Sequence, residues 1–171
     1  MDVKEILDKH RTSGVRIDLG CGENKQQGFV GVDVRPVKGV DIVQDLEEYP
    51  WVLPDECCEL ILCSHLVEHI NPAKGGFLKF MDECWRILEV GGKMLISAPY
   101  AYSKGFVQDP THVNPVNEVT WAYFDPIEPN AKGLLWRIYK PKPWKIVANT
   151  YMEGGNIEVA LEKRAWDKSY G

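Results

Sequence analysis

A glycine-rich turn followed by a carboxylate is the part of this chain whose residue types point most directly to chemistry. The sequence Asp18-Leu19-Gly20-Cys21-Gly22 follows a β-branched run, and a second apolar run ends on Asp33. Glycines let a backbone approach a ligand closely, and an acid at the end of the next strand accepts hydrogen bonds from both hydroxyls of a ribose. The pattern predicts a nucleoside site at the start of an α/β sheet.

The spacing between the glycines and the acid narrows the choice of ligand. Gly22 and Asp33 are only eleven positions apart, whereas a dinucleotide fold places its acid about 20 residues beyond the glycines because a full helix lies between them. Lys25 stands where the G-x-G-x-x-G pattern has its third glycine. A pyrophosphate needs the free N–H groups of a helix N-terminus, so this turn is better suited to an adenosine ligand with a charged, phosphate-free tail.

Two other groups of polar residues have types used in catalysis or metal binding. His65, Glu68 and His69 spell H-x-x-E-H, the letters of the inverted zinc-protease motif. Pro72 limits the helix that would carry them to a turn or two. We therefore expect no metal at these three residues, and we expect His69 to be a partly buried histidine bonded to backbone.

A loop after the fifth predicted strand contains the candidate catalytic residues Asp109 and His112. Histidine titrates near neutral pH, so His112 is a candidate general base, with Asp109 as the second titratable group. The alternative is that His112 braces its own loop. Residues 99–143, which include both groups and many aromatic side chains, are predicted to form a substrate lid.

Short apolar runs separated by turn residues predict a parallel sheet that ends in a hairpin. The predicted strands are Val15–Leu19, Phe29–Val34, Val40–Gln44, Leu60–Ser64, Lys93–Ala98, Trp144–Met152 and Asn156–Lys163. Three helices are predicted. The first is Val3–His10 and the third runs from Asn114 to about Phe124. The second ends at Gly91-Gly92, and its apolar face carries Phe77, Met81, Cys84, Trp85 and Leu88.

The connection between the second and third predicted strands is unusually short. It consists of about Arg35–Gly39, whereas a crossover between parallel strands normally takes about a dozen residues. This half of the sheet is therefore expected to lack helical cover. An uncovered apolar face tends to find a partner, so we expect contact with a second copy of the chain or with another protein at this edge.

Composition limits the class of protein. The 171 residues are enough for one domain with a substantial core. The net charge of -5 argues against general nucleic-acid binding, which depends on neutralising phosphates. No apolar stretch reaches the length of a membrane span, and the N-terminal segment lacks the apolar region of a signal peptide. The five cysteines form no C-x-x-C pair and are expected to be reduced, as in a cytoplasmic protein.

Five motifs in a fixed order resemble the class I S-adenosylmethionine-dependent methyltransferases, and more narrowly a short subgroup with reduced early crossover helices. They are DLGCG at 18–22, GVD at 31–33, QDL at 44–46, SHLVEHI at 64–70 and WRILEVGGKMLISAPY at 85–100. The resemblance implies a Rossmann-like sheet, mostly parallel with a C-terminal antiparallel hairpin. It also implies S-adenosylmethionine as cofactor, S-adenosylhomocysteine as product, and methyl transfer to an unidentified small molecule.

The resemblance also implies which residues hold the adenosine and methionine parts of the cofactor. Asp18, Gly20, Cys21 and Gly22 would surround the methionine end. Asp33 would bind the ribose hydroxyls.

The other cofactor-binding residues implied by the resemblance follow the second, third and fourth strands. Val34 would pack on the adenine. Asp45 would accept a hydrogen bond from the adenine amino group, beside the N–H of Leu46. Ser64 and His65 would lie next to the sulfonium.

Two other functions are compatible with the same motifs. A non-catalytic module that binds S-adenosylmethionine or a partner subunit would show the same glycine turn and the same thin helical cover. An NAD-dependent enzyme is a weaker alternative, because the short spacing and the missing third glycine both argue against a dinucleotide.

Overall fold

The computed structural model describes residues 2–128 and 133–170, built around a seven-stranded sheet with the order β3-β2-β1-β4-β5-β7-β6. The strands β1 to β5 are parallel, and β7 is antiparallel to both β5 and β6. Their bounds are β1 Arg16–Leu19, β2 Val30–Asp33, β3 Ile42–Val43, β4 Cys58–Ser64, β5 Leu88–Pro99, β6 Trp144–Tyr151 and β7 Asn156–Lys163. The predicted fold class is confirmed.

Helices are few within the described residues, as predicted. They are α1 Val3–Asp8, α2 Gly76–Ile87, α3 Lys104–Val107 and α4 Trp136–Tyr139. The 12-residue α2 buries Phe77, Phe80, Met81, Cys84 and Ile87. Of the predicted apolar face, Phe77, Met81 and Cys84 are correct, Trp85 is only partly buried, and Leu88 lies beyond the helix at the start of β5. Among the described residues no helix has the length and apolar character needed to cross a bilayer, and all five cysteines are free thiols.

The prediction that Gly91-Gly92 ends this helix is wrong. The helix already ends at Ile87, and both glycines lie inside β5. Leu88 pairs with Cys58 and Lys93 pairs with Leu60, so β5 contains extra residues opposite β4. Gly91 adopts a φ of 82°, in the left-handed region that glycine occupies without strain. The two glycines therefore form an irregularity within a strand rather than a helix stop.

The helix predicted from Asn114 to Phe124 is shorter than expected. A 3₁₀ helix covers only Glu118–Tyr123, and the Asn117 side chain caps it by accepting from two backbone N–H groups. Asn114 instead donates its side-chain amide to the Val67 carbonyl at 2.9 Å. This bond draws the start of the segment to the loop after β4, so the helix begins later.

A loop held by one arginine replaces the crossover helix between β3 and β4. Trp51 and Leu53 in this loop are buried in the core. Arg86 in α2 donates to the Leu53 carbonyl at 2.9 Å and to Asp55 Oδ1 at 2.6 Å, and Glu83 accepts from its other guanidinium nitrogen at 2.8 Å. The loop is thus fastened to α2 by charge-assisted hydrogen bonds, which are among the stronger ones in proteins.

The edge of the sheet at β3 has little cover. Val34, Val43 and Val52 around it are each more than half exposed, and the connections on both sides of β3 contain no helix. An exposed apolar edge of this kind is a common contact surface. The expected homodimer or partner contact at this edge stays a prediction.

The far end of β7 is fastened to the junction of α2 and β5. Lys163 is 2% exposed, and its ammonium donates to the Leu88 carbonyl at 2.6 Å and to Glu56 Oε1 at 3.1 Å. The same nitrogen lies 4.0 Å from the ring centroid of Trp85. A buried ammonium is tolerated only with such partners, so this lysine ties the C-terminal hairpin to the centre of the sheet.

Part of the predicted lid belongs to the core. Trp121 and Phe124 both make edge contacts with Phe77 of α2, at centroid distances of 6.2 and 5.7 Å. Both residues belong to the main hydrophobic core. Residues 129–132 of the segment lie outside the described residues, and the lid itself stays a prediction.

Candidate functional site

The glycine turn lies at the carboxyl end of β1. The backbone N–H groups of Gly20 and Cys21 both donate to the Val32 carbonyl, at 2.8 and 3.3 Å, which turns the chain away from the sheet. Gly20 has a φ of 69°, and a Cβ there would lie 3.0 Å from Leu66 Cδ1. A larger residue would therefore be strained and would also press on the loop that follows β4.

Asp33 closes this turn through its carboxylate. Its Oδ2 accepts from the Gly22 N–H at 2.9 Å, and its Oδ1 accepts from the Arg35 N–H at 2.9 Å and from the Arg35 guanidinium at 3.3 Å. Burial would raise the pKa of Asp33, but the hydrogen bonds from Arg35 and Gly22 outweigh it and the pKa is lowered. The carboxylate is thus ionised at neutral pH, and it has lone pairs left for further donors.

Asp18 has a different environment. It is 5% exposed, and its Oδ2 accepts from the Gln26 N–H at 2.8 Å. Burial raises the pKa of Asp18 despite that hydrogen bond and the nearby charge of Lys25. A buried carboxyl with one backbone donor is expected to bind a further donor or cation favourably.

Two cavities adjoin these residues at the carboxyl ends of the parallel strands, where open α/β sheets bind ligands. One, of about 160 Å³, is lined by the predicted residues Gly20, Asp33, Val34, Asp45 and Leu46. The other, of about 640 Å³, is lined by the predicted residues Asp18, Gly20, Cys21, Gly22, Ser64 and His65. Gly20 borders both cavities, so all ten residues predicted to hold the cofactor lie around one continuous region.

The cavities also contain residues that the motifs did not single out. Leu66 and Ile70 give the smaller cavity an apolar wall, and Arg35 brings a guanidinium to the larger one. Leu66 and Ile70 lie within the SHLVEHI motif, where their apolar character was visible. Arg35 lies two residues after the strand-end acid Asp33, and a cation at this position is the signal that would have found it.

The two candidate catalytic residues line neither of these cavities. The side chain of His112 is 8% exposed, and its Nδ1 lies 2.9 Å from the Phe106 carbonyl oxygen. Asp109 accepts from the Thr111 hydroxyl, and this hydrogen bond is the main cause of its lowered pKa. The geometry favours the bracing alternative for His112, and the general-base assignment stays a prediction.

The H-x-x-E-H residues do not share a helix. Val67–His69 is a single 3₁₀ turn, and His65 lies before it with a φ of 51°, in the left-handed region. His65 Nδ1 is 3.3 Å from Glu68 Oε1, while His69 packs on His112 at a centroid distance of 4.7 Å. The short helix expected before Pro72 is therefore confirmed, and the arrangement differs from that of a zinc-protease helix.

A family model described as a methyltransferase domain matches residues 23–96. The matched segment includes the acids after β2 and β3, the SHLVEHI motif and the start of β5. Together with the sheet order, this match identifies the fold as that of the class I methyltransferases and confirms the resemblance seen in the motifs. A search of the curated proteins finds no match.

Solved structures of low identity share the fold over nearly the whole chain. A SAM-dependent methyltransferase from Archaeoglobus fulgidus is 19% identical, with 94% of each chain covered and a TM-score of 0.57. A 16S rRNA (adenine(1408)-N(1))-methyltransferase variant with cosubstrate SAM, from Catenulisporales acidiphilia, is 12% identical, with 96% of this chain and 92% of that chain covered and a TM-score of 0.61.

A third structure contains a partner. It is a complex between the Haloferax volcanii Trm112 methyltransferase activator and a methyltransferase, and the matching chain is 11% identical, with 96% of this chain and 89% of that chain covered and a TM-score of 0.61. At these identities the three structures establish a common fold.

Proposed function

We propose that this protein is an S-adenosylmethionine-dependent methyltransferase that binds its cofactor across the two cavities. The observation that carries the proposal is the position of Asp33, an ionised and almost fully buried carboxylate between the glycine turn and the smaller cavity. Two ribose hydroxyls bound there would make charge-assisted hydrogen bonds. The methyltransferase-domain match and the SAM-dependent neighbours support the same cofactor.

The lining of the two cavities supports an order for the parts of the cofactor. Val34, Leu66 and Ile70 offer apolar contacts to an adenine in the smaller cavity, and Asp45 and the Leu46 N–H offer polar contacts to its edge. The larger cavity is more polar and accommodates the methionine part.

The polar groups of the larger cavity match the charges of an amino acid. Asp18 there is a partner for the ammonium group, and Arg35 is a cation near the carboxylate. Ser64 and His65 at the end of β4 would lie beside the sulfonium. A phosphate-free ligand with one ammonium and one carboxylate thus finds a group of opposite charge for each.

The reaction that such a site supports requires positioning more than acid–base chemistry. The acceptor's lone pair forms the new bond to the methyl carbon, and the electrons of the breaking C–S bond return to sulfur, which becomes a neutral thioether. Alignment of the reactants and exclusion of water lower the barrier of such a step. A general base is needed only when the acceptor loses a proton during transfer, and His112 and Asp109 remain the candidates for that role.

The acceptor is proposed to be a small molecule, and the location cytoplasmic. The net charge of -5 supports a small acceptor over a nucleic acid, although one neighbour of the same fold is an rRNA methyltransferase. A specific observation favours a second candidate, a non-catalytic cofactor-binding module or partner subunit. Neither candidate base lines either of the two cavities around Gly20, and another neighbour was solved with an activator protein.

Ligand binding and methyl transfer are measured separately to test the proposal. In a thermal-shift series, S-adenosylmethionine and S-adenosylhomocysteine are expected to raise the melting temperature, whereas NAD and ATP are not, because only a ligand of the native state stabilises it. No shift with either of the first two ligands contradicts the cofactor assignment.

In the transfer assay the cofactor carries a labelled methyl group and a cell extract is separated into small molecules, RNA and protein. Label in the small-molecule fraction supports the proposed acceptor class. Label in RNA or protein contradicts that class. Cofactor binding without label in any fraction favours the non-catalytic alternative.

A further inference from the structure

One cluster of potential metal ligands stands out among the described residues. Glu68, His69 and His112 each offer one ligand atom, and the three atoms lie within 4.8 Å of one another. The cluster joins two segments that are 43 positions apart. The backbone N–H groups of Val113 and Asn114 both donate to the Glu68 carbonyl, at 2.9 and 3.0 Å, so the main chain itself holds the loop of His112 against the 3₁₀ turn.

The Glu68 carboxylate is buried without a hydrogen-bond partner. Its side chain is 0% exposed, and neither oxygen has a hydrogen bond within the described part of the chain. His65 Nδ1 lies 3.3 Å from Oε1 but lacks hydrogen-bond geometry. Buried charges in proteins are normally paired or coordinate a metal, so a bound cation would stabilise this carboxylate.

A hydrogen bond places the proton of His112 on Nδ1 and leaves Nε2 free to bind a metal. Its Nδ1 lies 2.9 Å from the Phe106 carbonyl oxygen, which can only accept. Nδ1 therefore carries the proton and the Nε2 lone pair is available. A metal-binding histidine usually donates its other N–H to a carbonyl or carboxylate in this way.

His69 has an equivalent arrangement through a hydroxyl group. Thr111 Oγ1 donates its proton to Asp109 Oδ1 at 2.7 Å, so at its 3.1 Å contact with His69 Nδ1 it accepts. His69 is thereby also protonated at Nδ1, with Nε2 available as a ligand. Asp109 Oδ2, 3.8 Å from His112 Nε2, adds a negative charge at the rim of the cluster.

We propose that Glu68, His69 and His112 bind a divalent transition-metal ion. Two imidazole nitrogens and one carboxylate are a donor set that suits zinc and its neighbours in the first row, whereas magnesium and calcium prefer oxygen ligands. Ligand atoms about 2.0–2.2 Å from a tetrahedral zinc ion lie about 3.3–3.6 Å from one another, so the side chains need to close by up to about 1.5 Å.

This proposal goes beyond the methyltransferase assignment and replaces the expectation that the H-x-x-E-H residues bind no metal. It is also an alternative to the general-base role of His112, because the metal and the Phe106 carbonyl would engage both ring nitrogens. His69 also lines the smaller cavity with Asp33, so the ion would adjoin the proposed cofactor pocket. Metal binding is measured without cofactor, and its result is independent of whether methyl transfer is observed.

The test is Zn²⁺ binding to reduced, chelator-treated protein, by calorimetry and by elemental analysis after dialysis. All proteins carry Cys57→Ser, because Cys57 is the least buried thiol and thiolates are good zinc ligands. The variants are Glu68→Gln, His69→Asn and His112→Asn, and His10→Asn is the control for a histidine outside the cluster. Circular dichroism and the melting temperature check that each variant folds.

We expect one equivalent of Zn²⁺ in the parent and in His10→Asn, and at least about 100-fold weaker binding in each cluster variant. Thr111→Val, which leaves the three ligands in place, is expected to weaken binding about 10–100-fold, as losses of a ligand's hydrogen-bond partner do. It keeps the proposal testable if a cluster variant fails to fold. Absence of stoichiometric zinc, equal zinc binding in the cluster variants, or binding of Mg²⁺ alone would overturn the assignment.

Discussion

The substitution Asp33→Asn tests whether this carboxylate binds the ribose. Asparagine keeps the shape of the side chain and removes its charge, so two hydroxyl donors lose an ionised acceptor. Hydrogen bonds to charged groups contribute about 1.5–3 kcal/mol. At about 1.4 kcal/mol for each factor of ten, the dissociation constant for S-adenosylhomocysteine is expected to rise roughly 10–150-fold in titration calorimetry.

The chain offers a closely matched control in Asp125→Asn. Asp125 is also a buried carboxylate, 3% exposed, that accepts from two backbone N–H groups and from one arginine, Arg164. It does not line the two cavities around Gly20. We expect this variant to lose stability, as Asp33→Asn does. Its affinity for S-adenosylhomocysteine should stay within about twofold, because Asp125 does not line the cavities proposed to hold the ligand.

Two results would refute the reasoning. Unchanged affinity in Asp33→Asn would mean that the carboxylate only closes the glycine turn through Gly22. An equal loss of affinity in Asp125→Asn would mean that general destabilisation, rather than a lost ribose contact, weakens binding. Chemical denaturation of both variants separates the two effects, because it measures the free energy of unfolding without ligand.

Two other substitutions test the packing and the electrostatics of the glycine turn. In Gly31→Ala the new Cβ would meet Cys21 Sγ at 2.7 Å, so the free energy of unfolding should fall by about 1–3 kcal/mol. In the control Gly154→Ala the new Cβ meets nothing within 4 Å, so the free energy of unfolding should change by less than about 0.5 kcal/mol. Denaturant titration measures both variants, and equal losses would contradict the packing argument. Asp18→Asn should raise the melting temperature at neutral pH, because burial raises the pKa of Asp18 and its charged form opposes folding. The gain should shrink as the pH falls through the raised pKa, where the wild-type carboxyl is also neutral, and a gain that is constant with pH would contradict the assignment.

Local sequence signals were sufficient for the first half of the sheet. The glycine turn, the acid at Asp33 and the alternation of apolar runs with turn residues lie within about twenty residues, and each has a direct conformational meaning. The short Arg35–Gly39 connection likewise predicted that no helix covers this part of the sheet. In these segments the chain geometry and the pattern of apolar residues impose the same arrangement.

Where the observed elements differ from the predicted ones, contacts between segments distant in the sequence are the cause. Gly91 and Gly92 have the composition of a helix stop, but pairing with β4 keeps them in a strand. The helix expected at Asn114 starts later because its side-chain amide is used by Val67. Neither partner is visible in the local sequence.

The cluster around Glu68 illustrates the same limit at the site. His69 is next to Glu68 in the sequence. His112 lies close to Glu68 only because the backbone N–H groups of Val113 and Asn114 donate to the Glu68 carbonyl. The H-x-x-E-H spacing instead suggested that His65, Glu68 and His69 lie on one helix, but only the single 3₁₀ turn Val67–His69 forms there.

The position of β7 has a consequence for how the chain acquires its structure during synthesis. The strand Asn156–Lys163 pairs with β5 along Lys93–Pro99, and Lys163 satisfies the Leu88 carbonyl at the start of that strand. The chain must therefore emerge from the ribosome beyond residue 163 before the middle of the sheet gains its last neighbour. Until then β5 is an open edge, and unpaired edges are where nascent chains aggregate. We therefore expect ribosome-bound chains that end before Asn156 to aggregate more readily than chains that extend past Lys163.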